Sequence, residues 1–162
     1  MSNSEIAVAQ EENAVDPTDC AIETPSKETD RLIRLQTLLV ADASNPNGVS
    51  FDLSGWAWRY VWGDEQPVAV DCGTHACAVG LACISGLFAE DGLAYDLSHS
   101  GSIVPTYAGW RGWPAVEYFF GLNEDDAQWL FSPEHYVTRH GAEAELMVSA
   151  RIQQFLGVEV AQ

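Results

Sequence analysis

The sequence predicts a mainly α, single-domain fold. A compact helical domain over residues 27–162 is built round a buried central helix at about 74–88, and a disordered acidic tail over 1–26 precedes it. Three observations predict this. Apolar residues recur at helical spacing in several separate segments. The run Asp71 to Cys83, DCGTHACAVGLAC, reads as the start of a helix apolar on every side. Finally, 162 residues with 47% hydrophobic content are enough for one proper core.

The elements follow in chain order. Residues 1–26 hold scattered acids, Pro17, Pro25 and isolated apolar side chains, too little buried surface to offset the entropy of ordering. Ser26 caps a first amphipathic helix to Asp42, with Leu32, Leu35 and Leu39 on one stripe, Ile33 and Leu38 beside it, and Asn45-Pro46-Asn47-Gly48 as its stop. Next, Trp56, Trp58, Tyr60 and Trp62 stand two residues apart, the spacing of a short extended segment whose aromatics roof the core. Thr74 then caps the central helix. In it Ala76, Val79, Gly80, Cys83, Ile84 and Leu87 follow the i, i+3, i+4 rhythm, and Ala78, Leu81 and Ala82 make the far side apolar too.

Residues 90–112 hold four glycines and one proline and read as a long loop with room for one hairpin near Ser102-Ile103-Val104. Trp113-Pro114 opens a helix through Phe120, Gly121 closes it, and Asn123 caps a second short helix containing Asp125, Asp126, Trp129 and Leu130. The last helix runs from Ala142 to Leu156, with Leu146, Ser149, Ile152, Gln153 and Leu156 along its predicted stripe.

Charge narrows the function. The chain has 24 acids against 7 basic residues, a formal net charge of -17, and its acids are spread over both tail and domain. Such a field repels phosphate backbones and anionic membrane surfaces and favours basic partners. Solubility, imitation of nucleic-acid charge and adaptation to a salty cytoplasm are three readings of this acidity. No apolar run approaches the roughly 20 residues of a membrane span, and the N-terminus lacks the pattern of a signal peptide, so a cytoplasmic protein is expected. Four cysteines in a reducing compartment read as thiols, ligands or core.

Several blocks together carry a resemblance: Phe51-Asp52-Leu53 with Trp56, Cys72-Gly73-Thr74-x-Ala76-Cys77-x2-Gly80, Phe120-Gly121-Leu122 with Leu130-Phe131, and Ala150-Arg151-Ile152 with Phe155-Leu156. Over residues 50–156 the chain resembles a family of small bacterial and phage proteins built round a CGTxAC-x2-G element. The resemblance implies a mostly helical fold and an origin among bacteria, phages or mobile elements, and it implies no activity. His75 occupies the variable position of the element.

The cysteine run also invites a chemical reading. Gln66, six residues ahead of Cys72-Gly73, resembles the glutamine and cysteine of SUMO-protease-like cysteine peptidases, in which the thiol is the nucleophile and the glutamine an oxyanion donor. Those enzymes place their histidine before the cysteine, and here no histidine precedes Cys72. A cysteine-first arrangement would use His99, His135 or His140 as base, oriented by Asp96 or Glu134. A helix start lowers a thiol's pKa, while adjacent Asp71 penalises the thiolate. For a metal, Cys72, His75 and Cys77 offer ligand types at crowded spacing. Packing and capping explain the same residues, and Asn123-Glu124-Asp125-Asp126 reads as a capped helix start, lacking calcium-loop spacing. Taken together, the residues point to a non-catalytic, acidic interaction module without a cofactor, such as a phage-associated inhibitor of a basic, nucleic-acid-binding protein. A thiol hydrolase using Cys72, His99, Asp96 and Gln66 is the alternative.

Overall fold

A computed structural model of the chain describes residues 24–46, 48–59 and 73–157. Helix α1 (Lys27–Ser44) starts where Ser26 accepts a hydrogen bond from the Thr29 backbone N–H, and its stripe Leu32, Leu35 and Leu39 is buried. It packs along the last helix, α5 (Gly141–Phe155), through Ala144, Val148 and Ile152, with Gln36 donating to the Ser149 hydroxyl at 3.2 Å. The buried side of α5 is turned from the predicted stripe: Leu146 is exposed, and Ala144, Glu145, Val148, Ser149 and Ile152 face inward. Leu146 anchored that prediction on hydrophobicity alone, whereas α1 meets the face that carries a carboxyl.

Between these helices the described residues are mixed α/β, which corrects the mainly α expectation. Strands β1 (Ser50–Phe51), β2 (Ala57–Arg59) and β3 (Thr74–Ala76) form one small sheet, in which β3 lies between a parallel β1 and an antiparallel β2. The central helix expected at 74–88 is therefore only α2 (Ala78–Ile84). Thr74 is a buried strand residue whose neighbour His75 pairs with Ser50 and Trp58, and the cap has moved to Cys77, whose sulfur accepts from the Gly80 N–H at 3.4 Å. Strand pairing on both sides takes the backbone groups that a helix from Thr74 would have used, a tertiary choice that local apolar spacing does not show. At the far end the helix stops at Ser85, and Gly86 sits at φ +74°, a turn conformation that glycine adopts without strain.

The expected loop at 90–112 is largely a second sheet: β4 (Ala94–Leu97), β5 (Ile103–Tyr107) and β6 (Trp110–Arg111), antiparallel in that order. Its strands are short, and Ala94 to Leu97 of β4 are all exposed, so they carry none of the in-out alternation that would announce them. Helix α3 (Trp113–Phe120) covers the buried side of β5 with Val116, Phe119 and Phe120, and Gly121 ends it at φ +63°. Helix α4 (Glu124–Phe131) follows, capped by Asn123, which accepts from the Asp126 N–H at 2.8 Å.

The core runs through all of these pieces. Arg31 lies inside it, 1% exposed, donating to the Phe119 carbonyl at 2.7 Å, lying over the Phe119 ring at 4.2 Å and facing Asp91 at 3.6 Å. Gly80 is required by contact: a Cβ there would lie 1.6 Å from the Trp56 carbonyl oxygen. No helix among the described residues is long and apolar enough to cross a membrane.

Candidate functional site

The thiols come first because the sequence puts them first. Cys72 and Gln66 lie outside the described residues, as do Tyr60 and Trp62 of the aromatic segment. Cys77 is 3% exposed and spends its sulfur as the α2 cap; burial pushes its pKa up to about 11. Burial likewise pushes Cys83 up to about 12, and its thiol reaches the Ala94 carbonyl. Both are protonated at neutral pH and so are poor nucleophiles. His75 stacks on Trp58, with ring centroids 5.3 Å apart and planes 11° apart. His99 sits exposed in the turn between β4 and β5, while Asp96 on β4 faces Arg111 at 3.9 Å across the outer sheet surface. His135 is exposed in the short turn Pro133–His135, where its carbonyl accepts from Arg151. Among the described residues, no group of three His, Cys, Asp or Glu side chains is placed to hold a metal ion.

The structure instead gathers a different set of titratable residues. A cleft of about 520 Å³ opens between the C-terminal end of α1, the segment leading into β1, His75 of β3 and the N-terminal end of α5. Asp42, Asp52, His75, His140 and Glu145 border it, with Pro46, Val49 and Phe51 as apolar wall. They come from four stretches of chain, His140 and Glu145 both from the head of α5. Asp42 follows Leu39 by three residues on the buried stripe of α1, and Glu145 precedes Val148 by three on that of α5, so packing the two helices together brings two carboxyls into contact.

That pair is buried: Asp42 is 4% exposed and Glu145 2%. Burial, the adjacent Asp42 charge and a hydrogen bond to Asp42 raise the Glu145 pKa to about 8. Glu145 therefore keeps its proton at neutral pH and can donate it in the hydrogen bond to Asp42. Its Oε1 has no hydrogen-bond partner among the described residues, an exception to the rule that buried polar atoms are satisfied.

At the mouth, Asp52 accepts from the Ser54 N–H at 2.8 Å with one oxygen and meets His140 Nδ1 at 3.1 Å with the other. The two backbones also bridge there, which ties the start of α5 to the end of β1. His140 was a candidate base on sequence grounds, but its acidic partner is Asp52 and neither Asp96 nor Glu134. Asp42, Asp52 and Glu145 were missed as site residues. The available signal was an acid placed on the apolar stripe of each of two helices, a pattern that is costly to bury without purpose.

No Lys or Arg stands among the described residues bordering the cleft. The α1 C-terminus and the α5 N-terminus both open onto it with opposite dipole ends, so the carboxyls set the sign of its field. No protein-family model, curated protein or solved structure matches the chain.

Proposed function

We propose that this is a non-catalytic, acidic interaction module that engages a basic protein partner through the face carrying the cleft. The carrying observation is the cleft's own chemistry: three acids, two of them buried, and no Lys or Arg among its described lining residues. The net charge of -17 gives the molecule an anionic field, which steers a cationic protein toward it and repels nucleic acid. An inhibitor that occupies a nucleic-acid-binding protein, as expected of a phage-associated chain, is one use of this arrangement.

Titration with a fluorescent arginine-rich peptide tests the reading. Binding is expected to weaken steeply with salt, and the double variant Asp52→Asn, Glu145→Gln should lose clearly more affinity than Glu90→Gln, Glu134→Gln, which removes two exposed acids elsewhere. Equal losses from both would reduce the interaction to diffuse charge and overturn the role of this face. The enzymatic alternative is checked by iodoacetamide at neutral pH: a packed or capping thiol resists it, whereas fast single-site labelling of Cys72 would replace the module with a thiol hydrolase.

A further inference from the structure

We infer that the cleft is a receptor for a single arginine side chain, its guanidinium held between Asp52 at the mouth and the Asp42–Glu145 carboxyls on the floor. This rests on the proposed engagement of a basic partner and adds which group enters and what it displaces. Besides the acid cluster, the observation that points to a ligand is Glu145 Oε1, an acceptor in a residue only 2% exposed, bordering the cleft and left without a hydrogen-bond partner among the described residues. Burial of an unpaired acceptor is unfavourable, and a donor entering from the cleft relieves it.

The shape of the lining selects the donor. Three carboxyls and the exposed Ser50 among the lining residues offer several acceptors at once; guanidinium carries five donors in a rigid fork, an ammonium three on a point charge. Val49, Phe51 and Pro46 supply apolar wall for the methylene stem. Guanidinium is also the more weakly hydrated cation, so entering a partly apolar cleft costs it less.

A fixed positive charge beside Glu145 favours its carboxylate, so binding drives off the proton that Glu145 holds. The titratable groups that share the cleft lining with Glu145 are Asp42 from α1, Asp52 after β1, His75 from β3 and His140 at the head of α5. Of these, His140 already meets Asp52, at 3.1 Å, and so competes with an incoming donor for that acid. Proton release is therefore a signature that diffuse surface binding lacks.

The test is calorimetric titration with N-acetyl-arginine methylamide at pH 7, in buffers of different ionisation enthalpy. The expected result is one site, net release of a proton, and affinity at least roughly fivefold above that for N-acetyl-lysine methylamide. Glu145→Gln keeps a donor toward Asp42 and should abolish the release; Asp52→Asn should weaken binding about tenfold. His140→Ala, at a side chain 68% exposed and safe for folding, should tighten binding by freeing Asp52. Equal affinity for the two amino-acid derivatives, no proton release, or indifference to Asp52→Asn would each overturn the arginine receptor. If the arginine-rich peptide still distinguishes the two double variants while the single residue fails, the receptor falls and the interaction module stands.

Discussion

Glu145 makes the chain's stability depend on pH in a direction opposite to that of an ordinary paired carboxylate. Its pKa lies at about 8 in the folded chain against an ordinary 4.5. Between those values the folded state holds a proton that the unfolded state has released, so stability falls as pH rises from about 4.5 to about 8 and then levels off. With one pKa unit equivalent to about 1.4 kcal/mol, the loss is of order a few kcal/mol. Glu145→Gln should flatten that slope, and urea unfolding at pH 5 and pH 9 should find it clearly more stable than the natural chain only at the higher value. Asp91 acts in the other direction. The Arg34 hydrogen bond holds its carboxyl below the usual range, so its contribution is present at neutral pH and is lost on strong acidification. At Gly80 the issue is space: with Trp56 oxygen 1.6 Å from any added Cβ, Gly80→Ala should cost at least about 2–3 kcal/mol in the denaturation midpoint. A change below about 0.5 kcal/mol would mean that α2 and β2 do not approach as described.

At the scale of elements, most helix boundaries set by caps were legible, Thr74 excepted, whereas of the strands only β2 in the extended aromatic segment and the hairpin at Ile103 were. Ser26, Pro114, Gly121 and Asn123 each act at the end the sequence assigns them, because a cap is a local hydrogen bond or backbone angle that needs no distant partner. Asn123→Ala should accordingly cost about 1 kcal/mol, read from the melting curve, since it orphans the Asp126 N–H. Thr74–Ala76 and Ala94–Leu97 failed as predictions for the reverse reason. A three-residue strand inside an apolar run has no periodicity of its own, and its identity is decided by Ser50 and Trp58 arriving alongside it. The candidate site was hidden in the same way. Cysteine and histidine drew attention as reactive residue types, yet the cleft is made by Asp42, Asp52 and Glu145, which meet only after α1, β1 and α5 have packed.

On the scale of the whole molecule, charge governs. With 24 acids and 7 basic residues the chain repels itself, and two of the seven, Arg31 and Arg34, are drawn inward to Asp91 and the aromatic core. Raising sodium chloride from about 0.02 to 0.5 M shortens the Debye length from roughly 20 Å to a few ångström, and the melting temperature should rise by several degrees. A fall would mean that specific ion pairs such as Arg34–Asp91 outweigh the general repulsion. The same repulsion guards β4, which has β5 on one side, no described strand on the other, and Tyr95 and Leu97 exposed along it. Two copies approaching by this margin bring Asp96 against Asp96 within two strongly anionic bodies. Salt that screens this repulsion lowers the barrier, and the bare margin of β4 is then the place where a second copy can add its own strand.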